Sequence, residues 1–458
     1  MTPVFRFAFL AAILFSFLLL RGNSWGVDEV ESPDSVLPVP LDELVEELRA
    51  HLEFAAANSW KMELQDILMA QGEAHSTRLS SGKSTKVRLN AGFGLDDESS
   101  GLNQADGLEY RYDFLISKPL YHWGALEADH EFGILQVQRT HSNRQVAFLG
   151  LYESLVNQYI DYLILLQRKK HSAATLAFQK EQLELFRDQE QRGELPREQL
   201  INEDLNLNQA ALDHQSLENS ISRAERYFRS EAGLDSHVPL SIRGKLPAVA
   251  GDLTLLEDRM AGFIAQVEKL SVRFQERQLR LDQETKKLHK FEVDNRPKFN
   301  GVFRVRRDVE TVGGILRRSE IEEVFAGLEF SWSIFDGGAM RALALDSIQT
   351  KRQLERELAI LKDAIISETN FLLEDLKIHR ESSLLIERHF ARALEQYEQM
   401  DRDVEAGRMS ERDLRRLRQN LEHWRTNLYI SRGIYYKTLT NIYVSLEYPS
   451  ILAYIDQP

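Results

Sequence analysis

The chain contains no cysteine in its 458 residues, which excludes disulfide staples, cysteine zinc sites, thiol catalysis and a lipidated cysteine as a membrane tether. Proline and glycine are scarce, at 11 and 24 residues, as expected of a chain made mostly of long helices. A basic excess is missing as well. The net charge is −14, and a nucleic-acid protein needs a concentrated basic face to hold phosphate. Past Leu20 no apolar run approaches the length of a spanning helix, and the longest aliphatic cluster is Leu163-Ile164-Leu165-Leu166. With a mean hydropathy of −0.37 the chain is not a polytopic helical membrane protein. A barrel stays open, because its strands carry a much weaker hydropathy signal.

What is present begins with an address. Arg6 lies near the start of an apolar stretch from Val4 to Leu20, followed by Arg21 and the small residues around Trp25. Ser24 and Gly26 suit the two shallow subsites of signal peptidase, so residues 1–26 read as a signal peptide cleaved before Val27. An uncleaved inner-membrane anchor is the alternative. Residues 27–40, acidic and proline-containing, read as a flexible leader.

A two-fold repeat organises the rest. Ile116–Ala125 (ISKPLYHWGA) aligns with Phe330–Ala339 (FSWSIFDGGA) at an offset of 214 residues, and Arg192–Pro196 aligns with Ala406–Ser410 at the same offset. The two landmarks are 69 residues apart in both halves, the mark of a duplication in which the intervening length matters physically. Leu149, Tyr152, Val156, Tyr159, Leu163 and Leu166 keep a coiled-coil spacing in the first interval, as do Leu354, Leu358, Leu361, Ile365 and Leu372 in the second. Each interval is therefore one helix of roughly 100 Å, too long for a globular core. Gly193 and Gly407 suit the left-handed residue that ends a helix, Pro196 the first turn of the next, and Ser410 with Asp413 a capping box. Returning seams run through Leu207, Ala210, His214, Leu217, Ile221, Ala224 and Phe228, and through Leu421, Trp424, Leu428, Ser431 and Tyr435.

Ahead of each long helix are two strand-like runs, expected at about 86–95 and 107–121 in the first half and 298–307 and 321–335 in the second. Leu108, Tyr110, Tyr112, Phe114 and Ile116 alternate with Glu109, Arg111, Asp113 and Ser117, giving one aromatic-rich apolar face and one polar face. Two readings follow. In a soluble protein the apolar face would lie on a core, here the coiled coil. In a membrane barrel it would meet lipid while the polar face lines a lumen. Aromatic enrichment and strand length fit the barrel. Four strands cannot close one, since single-chain barrels need about eight, so a barrel requires several copies.

Strand pair, strand-to-helix bend, long helix, turn and returning helix, all present twice, resemble the TolC-type outer-membrane efflux proteins. The likeness spans about Leu41 to Leu446, with Ser333-Ile334-Phe335-Asp336-Gly337-Gly338 and the turn Gly407–Leu414 (GRMSERDL) as its most specific points. It implies a mainly α fold with a small β part: α-helical coiled-coil hairpins plus four antiparallel strands per chain, forming a trimeric α-barrel and a twelve-stranded transmembrane β-barrel. It also implies repeats over 41–233 and 253–446, an equatorial connector at 234–252 and a tail at 447–458. The implied partners are two further copies, outer-membrane lipid, a periplasmic adaptor (membrane fusion protein) and an inner-membrane RND pump or ABC transporter; no cofactor and no nucleic acid are expected. By the same likeness, Gly193, Leu195, Gly407, Met409, Ser410 and Leu414 form the periplasmic docking tip. Gly124, Asp336, Gly337 and Gly338 form the strand-to-helix bends.

The chain departs from that pattern in two places. The first repeat has Tyr121-His122-Trp123-Gly124 where the second has Phe335-Asp336-Gly337-Gly338. At the tip, some relatives line a constriction with two acidic residues three positions apart. Here Asp413 fills the first, Arg416 the second, and Gln199 is the first repeat's counterpart of Asp413. Arg408, Arg412, Arg415, Arg416 and Arg418 make this turn basic. A ring of copies would disfavour cations there; a solvated face or an adaptor-binding patch is the other reading.

Signals for catalysis fail on inspection. Gly82-Lys83-Ser84 lacks the earlier glycine of a phosphate loop, having Thr77 there, and Gly92-x-Gly94 lacks a third glycine. Glu127 and His130 form a single Glu-x-x-His, whereas a bundle di-metal site needs two. The chain is therefore expected not to be an enzyme, and the resemblance implies an outer-membrane exit duct that exports small molecules or proteins in a tripartite efflux or type I secretion complex. A periplasmic scaffold or adaptor without a pore is the alternative.

Overall fold

The computed structural model describes residues 38–97, 106–235, 242, 244–312 and 317–455. The expected signal peptide, most of the leader, the tips of both strand loops and part of the connector lie outside these residues.

Two helices of equal length dominate: α4 (Ala125–Gln191) and α9 (Ala339–Glu405), each of 67 residues. Before α4 come α1 (Leu41–Leu44), α2 (Glu46–Asn58), α3 (Trp60–Ser80), β1 (Lys86–Asp97) and β2 (Asp106–Tyr121), and after it α5 (Arg197–Ala232). The second repeat has α6 (Thr254–Ala265), α7 (Val267–Leu270), α8 (Val272–Val293), β3 (Lys298–Val312) and β4 (Arg317–Ser331) ahead of α9. It ends with α10 (Glu411–Ser445) and the short α11 (Pro449–Leu452). The helix expected near Leu41–Gly72 is thus three helices, and the one expected at Asp252–Glu292 is likewise broken. Ser59 and Ser271 cap the restarts, accepting from the N–H groups of Lys61 and Phe274.

Each long helix has two shorter ones laid end to end along it, α3 and α5 on α4, and α8 and α10 on α9. Helix α4 also packs on α8 and α10, so the wall reads α3–α4–α8–α9 toward the strands and α5–α4–α10–α9 toward the tips. The main apolar core sits midway, where Tyr152, Leu155, Val156, Tyr159 and Ile160 of α4 meet Tyr435, Tyr436, Leu439, Ile442 and Tyr443 of α10 beneath α2, α6 and the connector. Gly433 permits the close crossing, since a Cβ there would stand 2.7 Å from Ile164 Cδ1. Beyond Ile164, toward the tip, α10 shares a separate small core with α9, made of Phe390, Ala393, Leu421 and Leu428.

The four strands form one antiparallel sheet in the order β1-β2-β3-β4, with β2–β3 pairing the two repeats. Two expected boundaries are corrected. β4 ends at Ser331 rather than at residue 335, because its partner begins at Lys298, opposite Ser331, and leaves Trp332–Phe335 nothing to pair with. Conversely, β3 continues from Arg307 to Val312, paired with Arg317–Glu322. Those charged residues read as a loop, yet a ladder of backbone hydrogen bonds continues across polar residues once its register is set.

Candidate functional site

The register assigns every strand residue to a face. Val87, Leu89, Ala91 and Phe93 of β1 stand opposite Ile116, Phe114, Tyr112 and Tyr110 of β2. Ile116 and Phe114 stand opposite Phe303 and Val305 of β3, and Phe299, Gly301, Phe303 and Val305 opposite Phe330, Leu328, Ala326 and Val324 of β4. Directly paired residues share a face, so these apolar side chains form one continuous surface. Among the described residues nothing covers it: Phe93 is 83% exposed, Leu328 71% and Leu89 65%. Lys118 lies toward one end of this face, and Arg307 with Glu322 toward the other. The opposite face carries Arg88, Asn90, Arg111, Asp113, Arg304, Arg306, Asp308, Glu323 and Glu329, interrupted by Leu115, Val302, Ile321 and Phe325. Arg304 pairs with Asp113 at 3.7 Å and Arg306 with Asp308 at 2.9 Å. Among the described residues both outer strands, β1 and β4, are paired on one side only.

The chain leaves the sheet through two similar bends. Gly124 and Gly338, at matching positions, have φ of 86° and 87° and immediately precede α4 and α9. In the second bend Asp336 accepts from the N–H groups of Gly338 and Met340, both at 2.9 Å, and these bonds lower its pKa. His122, its counterpart, instead contacts Asn300 Oδ1 at 3.0 Å. Trp123 adopts a positive φ of 55° and donates its indole N–H to the Pro297 carbonyl at 2.8 Å.

At the far end the two tips are near copies. Gly193 and Gly407 have φ of 74° and 70°. In each the next residue's N–H reaches back across the turn, Glu194 to Gln189 and Arg408 to Asp403, satisfying carbonyls the ended helix leaves free. Ser410 accepts from Asp413 N–H at 3.3 Å and donates to its carboxylate at 2.7 Å, the expected cap. Pro196 is the cap residue itself rather than part of the first turn of α5, which starts at Arg197. Met409 is exposed, whereas Leu195 and Leu414 are half-buried.

Helix α10 uses its sides differently. Arg412, Arg415 and Gln419 reach Gln182, Glu181 and Thr175 of α4, while Leu421, Trp424 and Leu428 pack against α9. A third side meets the connector, where Arg432 donates to Leu246 O and Tyr436 to Ala248 O. Arg416, Asn420, His423 and Asn427, spaced by four, three and four, occupy the remaining side. Arg416 is exposed there, as are Asp413 and Gln199. The connector's grip was not legible in the sequence: Arg380 of α9 donates to the carbonyls of Ala250 and Gly251, a carbonyl clamp that no motif announces.

The candidate catalytic residues are engaged elsewhere. Glu127 pairs with Lys83, and His130 contacts Ser80 Oγ at 2.8 Å. Among the described residues no three His, Asp or Glu side chains gather as metal ligands, and no helix is long and apolar enough to cross a membrane.

No protein-family model matches the sequence, and no curated protein matches it. Solved structures do. The chain is similar to the CmeC outer membrane channel of Campylobacter jejuni, at 14% identity and a TM-score of 0.68, over 93% of this chain and 90% of that one. It is similar to the outer membrane protein VceC of Vibrio cholerae, at 11% identity and a TM-score of 0.65, over 88% and 96%. Against the open state of the Neisseria gonorrhoeae MtrE outer membrane channel the values are 12% and 0.62, over 88% and 89%. At these identities the likeness is one of fold, and it extends over nearly the full length of both partners.

Proposed function

We propose that the chain is one of three that together form an exit duct through an outer membrane, continued by a helical tube in the periplasm. The observation that carries this reading is the sheet: an uncovered apolar face, a charged face behind it and two open edges. Four strands leave both faces without a use in a monomer, whereas β1 of one copy beside β4 of the next closes a barrel with lipid outside and water inside. The helical wall has a similar unfinished edge, since α9 packs mainly on α8 and α10 and exposes Ile360, Phe371, Ile378 and Leu385.

In this arrangement the connector lies outside, because an extra layer inside the tube would plug it. The side of α10 opposite the connector then faces the bore, and Arg416 lines its narrow end, with Asp413 and Gln199 nearby. The tips, with Gly193, Leu195, Gly407, Met409, Ser410 and Leu414, dock a periplasmic adaptor coupled to an inner-membrane RND pump or ABC transporter. Cargo is chosen by that pump, so small-molecule efflux and protein secretion are both compatible with the duct. The test is fractionation and conductance. A duct stays in the outer membrane through a carbonate wash, runs as a trimer on mild gels and conducts ions in planar bilayers. A water-soluble monomer that makes no pores would replace this reading with a periplasmic scaffold.

A further inference from the structure

All four helices of the tip half carry a histidine at one level. On α5, His214 lies 3.9 Å from Glu218, which pairs with Lys169 of α4 at 2.8 Å. Two residues on, His171 of α4 meets His423 of α10 with ring centroids 5.7 Å apart. His423 lies edge-on to Trp424, and Trp424 stacks on His389 of α9 at 4.9 Å. The three seams of the wall, α5–α4, α4–α10 and α10–α9, therefore each hold an imidazole in one layer. The Nδ1 atoms of His171 and His214 are buried and make no hydrogen bond.

The layer sits where the α4–α10 seam changes character. Above it the seam holds the apolar core, edged by the Lys437–Asp161 pair at 2.7 Å, and closes tightly at Gly433 on Ile160 and Ile164. From Gln167 to the tip its contacts are polar: Gln167–Glu422, His171–His423, Thr175–Gln419, Glu181–Arg415 and Gln182–Arg412. Meanwhile α9 and α10 keep their own core. The second hairpin can thus part from the first at this seam without exposing a shared apolar core.

We propose that the histidine layer is a pH-operated latch on the seam between the two hairpins. Neutral imidazoles let α4 and α10 close, and protonated ones push the tips apart and widen the end of the duct. The charges facing the layer favour this direction. Three carboxylates near it have cationic partners: Glu218 in Lys169, Glu422 in Arg425 at 2.8 Å, and Glu387 of α9 in Arg432. A fourth, Asp213 of α5, accepts from the Gln209 amide at 2.8 Å, and the other charged neighbours in sequence, Arg168 and Lys170 on α4 and Arg388 and Arg392 on α9, are cations. A proton added to His171 faces the His423 ring 5.7 Å away, and Glu422, the carboxylate acting on it, is already held by Arg425. Burial and the neighbouring His423 lower the pKa of His171, while Glu422 opposes them. The closed seam therefore favours the neutral ring, and its advantage is lost as pH falls below the ordinary value of 6.5.

The latch rests on the duct reading for its consequence, and its motion can be read separately. The chain is free of cysteine, so Glu194→Cys and Met409→Cys place one spin label on each exposed tip. Labelled chains are diluted into unlabelled trimers in lipid nanodiscs, and the distance between labels is measured by pulsed electron paramagnetic resonance at about pH 7.5 and 5.5, a window that titrates imidazole and leaves carboxylates ionised. The expected result is a distance that lengthens by several ångströms at the lower pH. His171→Gln should abolish the change, and so should His423→Gln, at an exposed position where folding is not at stake. A distance that does not move in the unsubstituted chain, or that moves equally in both variants, overturns the latch. Conductance is recorded in parallel: absence of pores at both pH values sinks the duct while the label distance still judges the latch.

Discussion

Trp123 and Gly337 occupy the same position in the two repeats, 214 residues apart, and both have left-handed backbones, with φ of 55° and 72°. Glycine takes this conformation freely, and a side chain resists it by about 1–2 kcal/mol. Trp123 offsets that resistance with its bond to Pro297 O and with the Arg296 guanidinium 5.1 Å from its ring. The usual ranking of small substitutions is therefore expected to invert here. Trp123→Ala loses the contacts and keeps the strain, whereas Trp123→Gly loses the contacts and removes it. Thermal unfolding should find Trp123→Ala the less stable of the two by about 1 kcal/mol; equal stabilities would mean the backbone bears no strain.

The charge at the tip gives a second expectation. In the proposed trimeric duct, three Arg416 side chains around one axis would favour anions at the mouth. Reversal potentials in a salt gradient should show Arg416→Ala less anion-selective and Arg416→Glu shifted toward cations. Unchanged selectivity in both would place Arg416 away from the bore, on a docking surface.

Adjacent residues of one strand test the two faces. Leu328 lies on the apolar face and Glu329 on the charged one. Arginine facing lipid near the middle of a membrane costs about 2–4 kcal/mol, and one facing a wet lumen costs little. Leu328→Arg should sharply reduce the yield of membrane-inserted trimer, and Glu329→Arg should insert normally but alter conductance. Equal yields would argue against lipid on the Leu328 face.

Much of this architecture was legible because it repeats. The 69-residue spacing of the landmarks foretold two helices of one length, and alternation in Leu108–Ile116 foretold the two-faced sheet. Where the reading failed, the deciding partner was distant in sequence. Trp332–Phe335 alternates as well as any strand but has no opposite strand, and that is a property of where β3 begins. The histidine layer escaped for the same reason. His171, His214, His389 and His423 look scattered until pairings such as Lys169–Glu218 and Arg415–Glu181 fix how far each helix slides against the next.

A half-buried histidine outside the layer sets another pH response. His51 of α2 packs edge-on against Phe228 at 5.4 Å, and burial lowers its pKa despite the charge of Glu47. Its neutral form fits the fold, so its contribution is complete above about pH 6.5 and declines as the pH falls further. His51→Gln should flatten the dependence of stability on pH between about 7 and 5, measured by chemical unfolding. An unaltered slope would assign the response to other groups.

Glu447 makes the most concentrated demand on one side chain. It has a positive φ of 49° just beyond α10, and its carboxylate is buried at the start of α8. There it accepts from Ser271 Oγ at 2.9 Å, from the N–H of Val272, from the N–H of Arg273 at 3.2 Å and from the Arg273 guanidinium at 3.3 Å. One anion thus satisfies free donors at a helix N-terminus and fastens the end of the second hairpin to the helix leading into β3. Glu447→Ala leaves those donors buried without an acceptor and should cost about 2–4 kcal/mol. Glu447→Gln keeps the shape and one acceptor but turns an amide toward the remaining donors, and should cost about half as much. If both variants melt with the parent protein, water reaches the α8 terminus and the carboxylate is not the fastening it is taken to be.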